Sequence, residues 1–241
     1  MTDIKKRAYQ FIIVFGIISL LGDIIYEGAR SVNAQYLKGL GANALWVGIV
    51  AGLGEFVGYA IRLVSGYLSD KTRAYWLFTF IGYGLLITVP LLALTGIWQV
   101  AALLMIGERL GKALRSPAKD TILSQVTTQV GRGLGFGIHE AMDQIGAIAG
   151  PLMFTFIFAY VVDYNLGYKI MWIPFILLMG VLIIAKMLVP HPEQFESTPH
   201  SNSSDALTPT FWLYNAFSAF AIIGFASFPI IAFHLKSQNI V

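Results

Sequence analysis

An all-α integral membrane protein of about seven transmembrane helices is the fold class this sequence predicts. Three observations carry that reading. Charged residues make up only 12% of the 241 and hydrophobic residues 56%, where soluble chains carry about 25% charge. The mean hydropathy is +0.70. Six long stretches, at 8–22, 39–54, 74–107, 144–162, 170–185 and 206–235, hold no Lys, Arg, Asp or Glu. Such a chain lacks the polar surface a water-solvated domain needs. Disorder is excluded too, since it requires low hydrophobicity and high net charge. The net charge of +3 is too small and too scattered for a nucleic-acid surface. There is no cysteine, hence no disulfide, thiolate metal site, cysteine nucleophile or lipidated cysteine.

A membrane helix needs about 20 mostly apolar residues to cross about 30 Å of hydrocarbon. Allowing each helix a few charges, the spans fall at 8–30, 43–67, 74–94, 97–116, 134–161, 168–189 and 210–234. The 74–107 stretch would be about 51 Å long as one helix, too long for one crossing, and Thr95 and Gly96 divide it. The first span follows Lys5, Lys6 and Arg7, as a signal peptide would. Asp23 and Glu27 follow it, however, and there is no A-x-A cleavage site, so it reads as a retained helix. Residues 190–209 hold four of the nine prolines, four serines and no Lys or Arg, a linker composition with nothing to build a packed core. Three parts result: a six-helix bundle over 1–189, a cytoplasmic linker over 190–209, and a seventh helix within 210–241.

Orientation follows from Lys and Arg near the helix ends. With the N-terminus inside, ten basic residues lie on the inner side (Lys5, Lys6, Arg7, Lys71, Arg73, Lys112, Arg115, Lys119, Arg132, Lys186). Four lie outside (Arg30, Lys38, Lys169, Lys236). The N-terminus is therefore placed in the cytoplasm and the chain in the cytoplasmic membrane.

Asp23, Glu27, Glu55, Glu108, Glu140 and Asp143 fall inside the spans, with Arg62 and Arg109. Each costs about 2.5–3.5 kcal/mol at a helix centre, about 20–28 kcal/mol for the eight. A domain's whole stability is about 5–15 kcal/mol, so these groups must face one another or a water-filled cavity. Their spacing agrees. Asp23, Glu27 and Arg30 share one helical face, as do Glu55, Tyr59 and Arg62, then Glu108, Lys112 and Arg115, and finally Glu140 with Asp143. Counting about 1.5 Å per residue brings Glu55, Glu108, Arg109 and Asp143 about 15–18 Å deep, near the bilayer midplane. Two readings stand at this point: a pathway for a solute or ion, or charges that only hold the bundle together.

Four glycine pairs, Gly48/Gly52, Gly54/Gly58, Gly107/Gly111 and Gly146/Gly150, have the G-x-x-x-G spacing that lets helices approach closely. His139-Glu140-Ala-Met-Asp143 lacks the second histidine of a zinc helix, and no serine sits in a G-x-S-x-G turn. No metal, cofactor or enzymatic chemistry is expected.

The loop after the second span reads Gly66-Tyr-Leu-Ser-Asp70-Lys71-Thr-Arg73. It resembles the G-x-x-x-D-R/K loop of the major facilitator superfamily, with Thr72 where a glycine is usual. Glu108-Arg109-Leu-Gly111-Lys112 looks like a variant of that family's charged fourth-helix segment. Gly146-Ala-Ile-Ala-Gly150-Pro151 is similar to the G-x-x-x-G-P motif of its antiporters, though the second glycine pair is replaced by Leu152, Met153 and Phe154. The resemblance covers the family's N-terminal six helices, central loop and seventh helix. It implies secondary transport of a small solute by alternating access between two halves. Five helices of a second half are missing from the expected pattern, so the chain reads as a truncated transporter, inactive alone, or as a half that pairs with a separate subunit.

Desolvation and a nearby arginine pull a carboxylate's proton affinity in opposite directions, so mid-depth acids suit ion coupling, by a proton first of all. Glu55, Glu140 and Asp143 are the expected carriers and Arg109 the counter-charge, with Arg62 and Glu108 beside them. Asp23, Glu27 and Arg30 lie nearer the outer mouth. Gly66, Asp70, Lys71 and Arg73 are expected to hold the inward gate. Mixed acid and arginine permits a zwitterion, an anion or a cation as solute. The rivals are a non-transporting scaffold that pairs with a separate second half, and an intramembrane hydrolase.

Overall fold

A computed structural model describes residues 3–195, 208–223 and 228–238. Its described residues are helices and their connections. In chain order these are α1 (Asp3–Gly39), α2 (Ala44–Thr72), α3 (Tyr75–Gly84), α4 (Thr88–Leu91), α5 (Trp98–Thr127) and α6 (Arg132–Tyr160). They are followed by α7 (Tyr164–Ile170), α8 (Trp172–Leu188), α9 (Pro209–Ile223) and α10 (Phe228–Ser237). Five stretches are long and apolar enough to cross a membrane: Ile4–Gly39, Ala44–Thr72, Tyr75–Leu94, Arg132–Tyr160 and Tyr164–Leu188. Helix α5 is equally long but carries Glu108, Arg109, Lys112 and Arg115.

The helices run past the expected spans because a helix does not stop where hydrocarbon does. α1 begins five residues before position 8 and continues nine past position 30. Its end is set by local chemistry: Gly41 takes φ +96, a left-handed turn that glycine adopts without steric cost. Asn43 then caps α2, its Oδ1 accepting from the Trp46 N–H at 3.0 Å. Arg73 ends α2 in a left-handed conformation. Asp163 caps α7, its carboxylate accepting from the Asn165 N–H at 2.8 Å.

The third span is one crossing in four pieces: α3, the 3-10 turn Leu85–Ile87, α4 and the 3-10 turn Leu92–Leu94. Pro90 explains the break. It has no N–H and its ring crowds the carbonyl four residues back, at Leu86, which lies in the first 3-10 turn. At the C-terminal end of this span the Tyr36 hydroxyl of α1 shares its proton between Leu92 O at 2.8 Å and Thr95 O at 2.9 Å.

α1 packs on α6, α8 and α5, and α5 packs on α2 and α3. Buried Phe11, Phe15, Ile18 and Ile25 of α1 meet Leu123 and Val126 of α5 and Leu178 and Leu182 of α8 in the core. Large apolar residues such as Leu63, Leu103, Phe156 and Met187 point outward, where lipid solvates them. α10 lies against α1 and α2.

The glycine pairs divide by use. A Cβ on Gly146 would lie 2.4 Å from Leu20 O, and one on Gly150 would lie 2.5 Å from Ile24 O, so α1 and α6 touch backbone to backbone. Gly111 meets Gly82 O at 2.7 Å in the same sense, joining α5 to α3. Gly48, Gly52 and Gly58 have nothing within 4 Å, and Gly54 faces only the Arg109 side chain. Those four open a cavity instead of closing a helix crossing.

The expected linker is anchored at its start. Trp76 Nε1 donates to Val189 O at 3.1 Å, Pro192 is buried, and Phe195 O accepts from Thr128 Oγ1 at 2.8 Å and Gln129 Nε2 at 3.0 Å. The turn Pro192–Phe195 thereby docks on the end of α5. The expected linker's residues 196–207 lie outside the described residues, as do 224–227 of the expected seventh helix and 239–241.

Candidate functional site

The intramembrane charges gather around Tyr26 of α1, which is buried. Its hydroxyl accepts a hydrogen bond from the Arg109 guanidinium. Its ring lies 4.8 Å from the Arg109 guanidinium carbon, 3.7 Å from Lys112 Nζ and 5.9 Å from the Arg30 guanidinium carbon. Cations over an aromatic face are stabilised by the ring quadrupole, more so when desolvated. A single tyrosine thus holds three cations where three helices meet.

Glu55 of α2 closes the cluster. Arg109 approaches its Oε1 at 3.4 Å and Arg30 at 3.6 Å. Each arginine has a second acid behind it: Glu108 lies 3.7 Å from Arg109 Nε, and Glu27 lies 3.7 Å from Arg30. Glu108 is 5% exposed, and its Oε1 makes no hydrogen bond. Arg109 reaches Glu55 because Gly54 has no side chain; a Cβ there would sit 3.2 Å from Arg109 Cγ.

Two neighbouring cavities share Arg30, Glu55 and Arg109 in their walls. One, of about 170 Å³, lies among Ala34, Leu37, Val47, Val50 and Met105, with Ile230 of α10 at its edge. The other, of about 140 Å³, is lined by Tyr26, Gly58, Tyr59, Arg62 and Lys112.

The α6 acids stand elsewhere. Asp23 lies within electrostatic reach of Asp143, Lys112, Arg115 and Lys119, and Asp143 within reach of Lys119 and His139. Lys119 Nζ lies 3.1 Å from His139 Nε2 and 3.4 Å from Ser19 Oγ. Glu140 is exposed and accepts from Gln144 Nε2 at 2.9 Å. The charges expected at one depth therefore form two groups, one between α1, α2 and α5 and one between α1, α5 and α6.

The loop residues sit at the other end of α2. Asp70 and Arg73 line a wide cavity of about 660 Å³ with Asp120, Arg132 and Glu193. Lys71 is exposed over Tyr67, 5.7 Å from its ring centre. Gly66 passes Pro117 of α5 at ordinary contact distance. Ser65 joins the same helices, donating to Ala113 O at 2.7 Å.

Tyr26, Lys112, Lys119 and His139 do structural and electrostatic work that their sequence positions did not reveal. Lys112 carried a hint in its spacing from Glu108; the tyrosine had none, because its partners are on other helices.

An all-helical bundle with a lipid-facing exterior and a charged interior cavity has the build of a membrane transporter. The profile of the Major Facilitator Superfamily matches residues 8–240, and the chain belongs to that family. An uncharacterised protein of Mycobacterium tuberculosis is 42% identical over 97% of this chain and 59% of its own length. An uncharacterised MFS-type transporter of Methanocaldococcus jannaschii is 32% identical over 63% of this chain and 37% of its own. Another, from Bacillus subtilis, is 29% identical over 56% of this chain and 34% of its own. The chain thus spans about three fifths of the length of the mycobacterial relative.

Proposed function

We propose that this chain supplies one helical bundle of a secondary transporter in the cytoplasmic membrane, with its N-terminus in the cytoplasm. It moves a small solute by alternating access, coupled to an ion, and its carboxylates suit the proton. One observation carries the reading: Arg30 of α1 and Arg109 of α5 converge on Glu55 of α2 at the wall of an interior cavity. Ionisable groups inside a membrane are expensive, and buried ion pairs stabilise no better than apolar packing. Their use lies in movement of charge.

While Glu55 is ionised it draws both arginines, and with them α1, α2 and α5, together. A proton on Glu55 removes that attraction and leaves Arg109 to Glu108. Glu140 and Asp143 on α6 form a second acidic group for the same ion, with Asp23 opposite. Asp70, Lys71 and Arg73, next to Gly66, hold the cytoplasmic gate. Alternating access needs two bundles rocking about a site between them. The spans through α8 make one, so a second bundle, from the rest of the whole protein or from a partner subunit, completes the pathway. This chain alone is inactive, and no enzymatic step is involved.

The test is solute-dependent collapse of an imposed pH gradient in vesicles. One set holds this chain alone. The other holds it co-expressed with the remaining length of the mycobacterial relative. Collapse is expected only in the second set, and is lost in Glu55→Gln. A scaffold gives no collapse in either set. Collapse with this chain alone, or collapse that survives Glu55→Gln, contradicts the proposal.

A further inference from the structure

We propose that the cavity between α1, α2 and α5 selects a small organic anion with an apolar body. The assignment rests on the transporter reading and names the solute class of that same site. The larger cavity presents Arg30 and Arg109 against one carboxylate, Glu55, and its neighbour presents Arg30, Arg62, Arg109 and Lys112 against the same Glu55. Glu55 is already shared between two arginines at 3.4 and 3.6 Å, so it has little left to offer a positively charged solute. Glu27 and Glu108 engage Arg30 and Arg109 as well, but they do not line either cavity.

Arg62 and Lys112 have no ion pair among the described residues. Each rests on an aromatic ring instead, Arg62 5.4 Å from the centre of Tyr59 and Lys112 3.7 Å from that of Tyr26. The Nε–H groups of Arg30 and Arg62 are buried without an acceptor. A buried donor left unsatisfied bears its full desolvation cost. A carboxylate or phosphate beside Arg30, Arg62 and Arg109 accepts from guanidinium N–H groups in the planar geometry for which arginine is suited. A cation entering the same space meets four like charges.

The rest of the wall is apolar. Ala34, Leu37, Val47, Val50 and Met105 line the larger cavity, and Gly48 and Gly52 leave it open. An anionic head at the arginines therefore places an apolar body among these side chains. The volumes of about 170 and 140 Å³ are each below the ~300 Å³ of a drug-sized pocket, which sets the solute's scale on this side of the pathway.

The chain has no cysteine, so one introduced thiol reports alone. Ala51 lines the larger cavity, and Ala51→Cys can be labelled with a membrane-permeant neutral maleimide in membranes containing the whole protein. Benzoate and phenyl phosphate are the anionic probes, benzamide the neutral one and benzylammonium the cationic one. At ten times its half-protecting concentration an anion should slow labelling about tenfold. The neutral and cationic probes should not. Arg62→Gln should raise the half-protecting concentration about tenfold or more, the worth of one charge-assisted hydrogen bond. Benzoate and phenyl phosphate arms separate a carboxylate from a phosphate preference within the class. Protection by benzylammonium, equal protection by benzamide, or protection by none of the four overturns the anion assignment. The transporter reading is judged separately, from ligand-free changes in accessibility, so the two fail independently.

Discussion

Arg109→Gln is expected to destabilise the bundle by about 3–5 kcal/mol, the cost of removing one partner from a buried ion pair, and to abolish the proposed transport by the assembly with a second bundle. Arg109 touches two acids and the tyrosine of the cluster: Glu55 at 3.4 Å, Glu108 at 3.7 Å and the Tyr26 hydroxyl. Its side chain is 14% exposed and that of Glu108 7%, so Glu108 would be left buried without its nearest counter-charge, and either stays ionised at that cost or takes up a proton. The double substitution Glu108→Gln with Arg109→Gln removes the stranded charge and should recover most of the stability. It should not recover transport, because Glu55 still lacks its counter-charge. Thermal unfolding of the purified protein, read beside solute flux, separates the two effects. If the double variant is as unstable as the single one, the stranded charge is not the cause.

Gly150→Ala is expected to destabilise by about 1–3 kcal/mol, the range for overpacking, through steric conflict and not charge. The added methyl would lie 2.5 Å from Ile24 O and 2.7 Å from Gly28 N. These are backbone atoms of α1, and they cannot turn aside as a flexible side chain can. Relief requires α1 and α6 to separate along the face where Gly146 also touches Leu20 O. Gly180→Ala, on α8 with nothing within 4 Å, is the control. It should stabilise by up to about 1 kcal/mol, the helix propensity gained over glycine. Opposite signs for the same substitution are the expected result; a shift of the same sign at both sites contradicts the close-crossing account.

Composition and periodicity were enough to read an all-helical membrane bundle. The break at Thr95 and Gly96 between the third span and α5 follows from hydropathy and length. The helix ends did not follow, since Asn43, Asp163 and Gly41 set them through local bonds and conformations that continue beyond the hydrocarbon. Partner choice was also hidden. Glu140 and Asp143 share a helical face by spacing, yet Glu140 is exposed beside Gln144 and Asp143 is near Lys119 of α5. Arg109 meets a tyrosine 83 residues away. The G-x-x-x-G spacing likewise says that something must come close without saying what. At Gly150 it is a helix backbone, at Gly54 an arginine stem, and at Gly48 an open cavity.

The central claim is that the cluster on Glu55 lies in a pathway opened alternately to the two faces of the membrane. Labelling of single cysteines by an impermeant maleimide, in membranes containing the whole protein, tests it most directly. Val47→Cys reports the cavity above Glu55 and Thr121→Cys the wide cavity at the other end of α5. In the proposed orientation the first is reached from outside and the second from the cytoplasm. Glu55→Gln, which removes the charge both arginines share, should raise one rate and lower the other. Rates that move together, or that do not respond to the substitution, contradict the account.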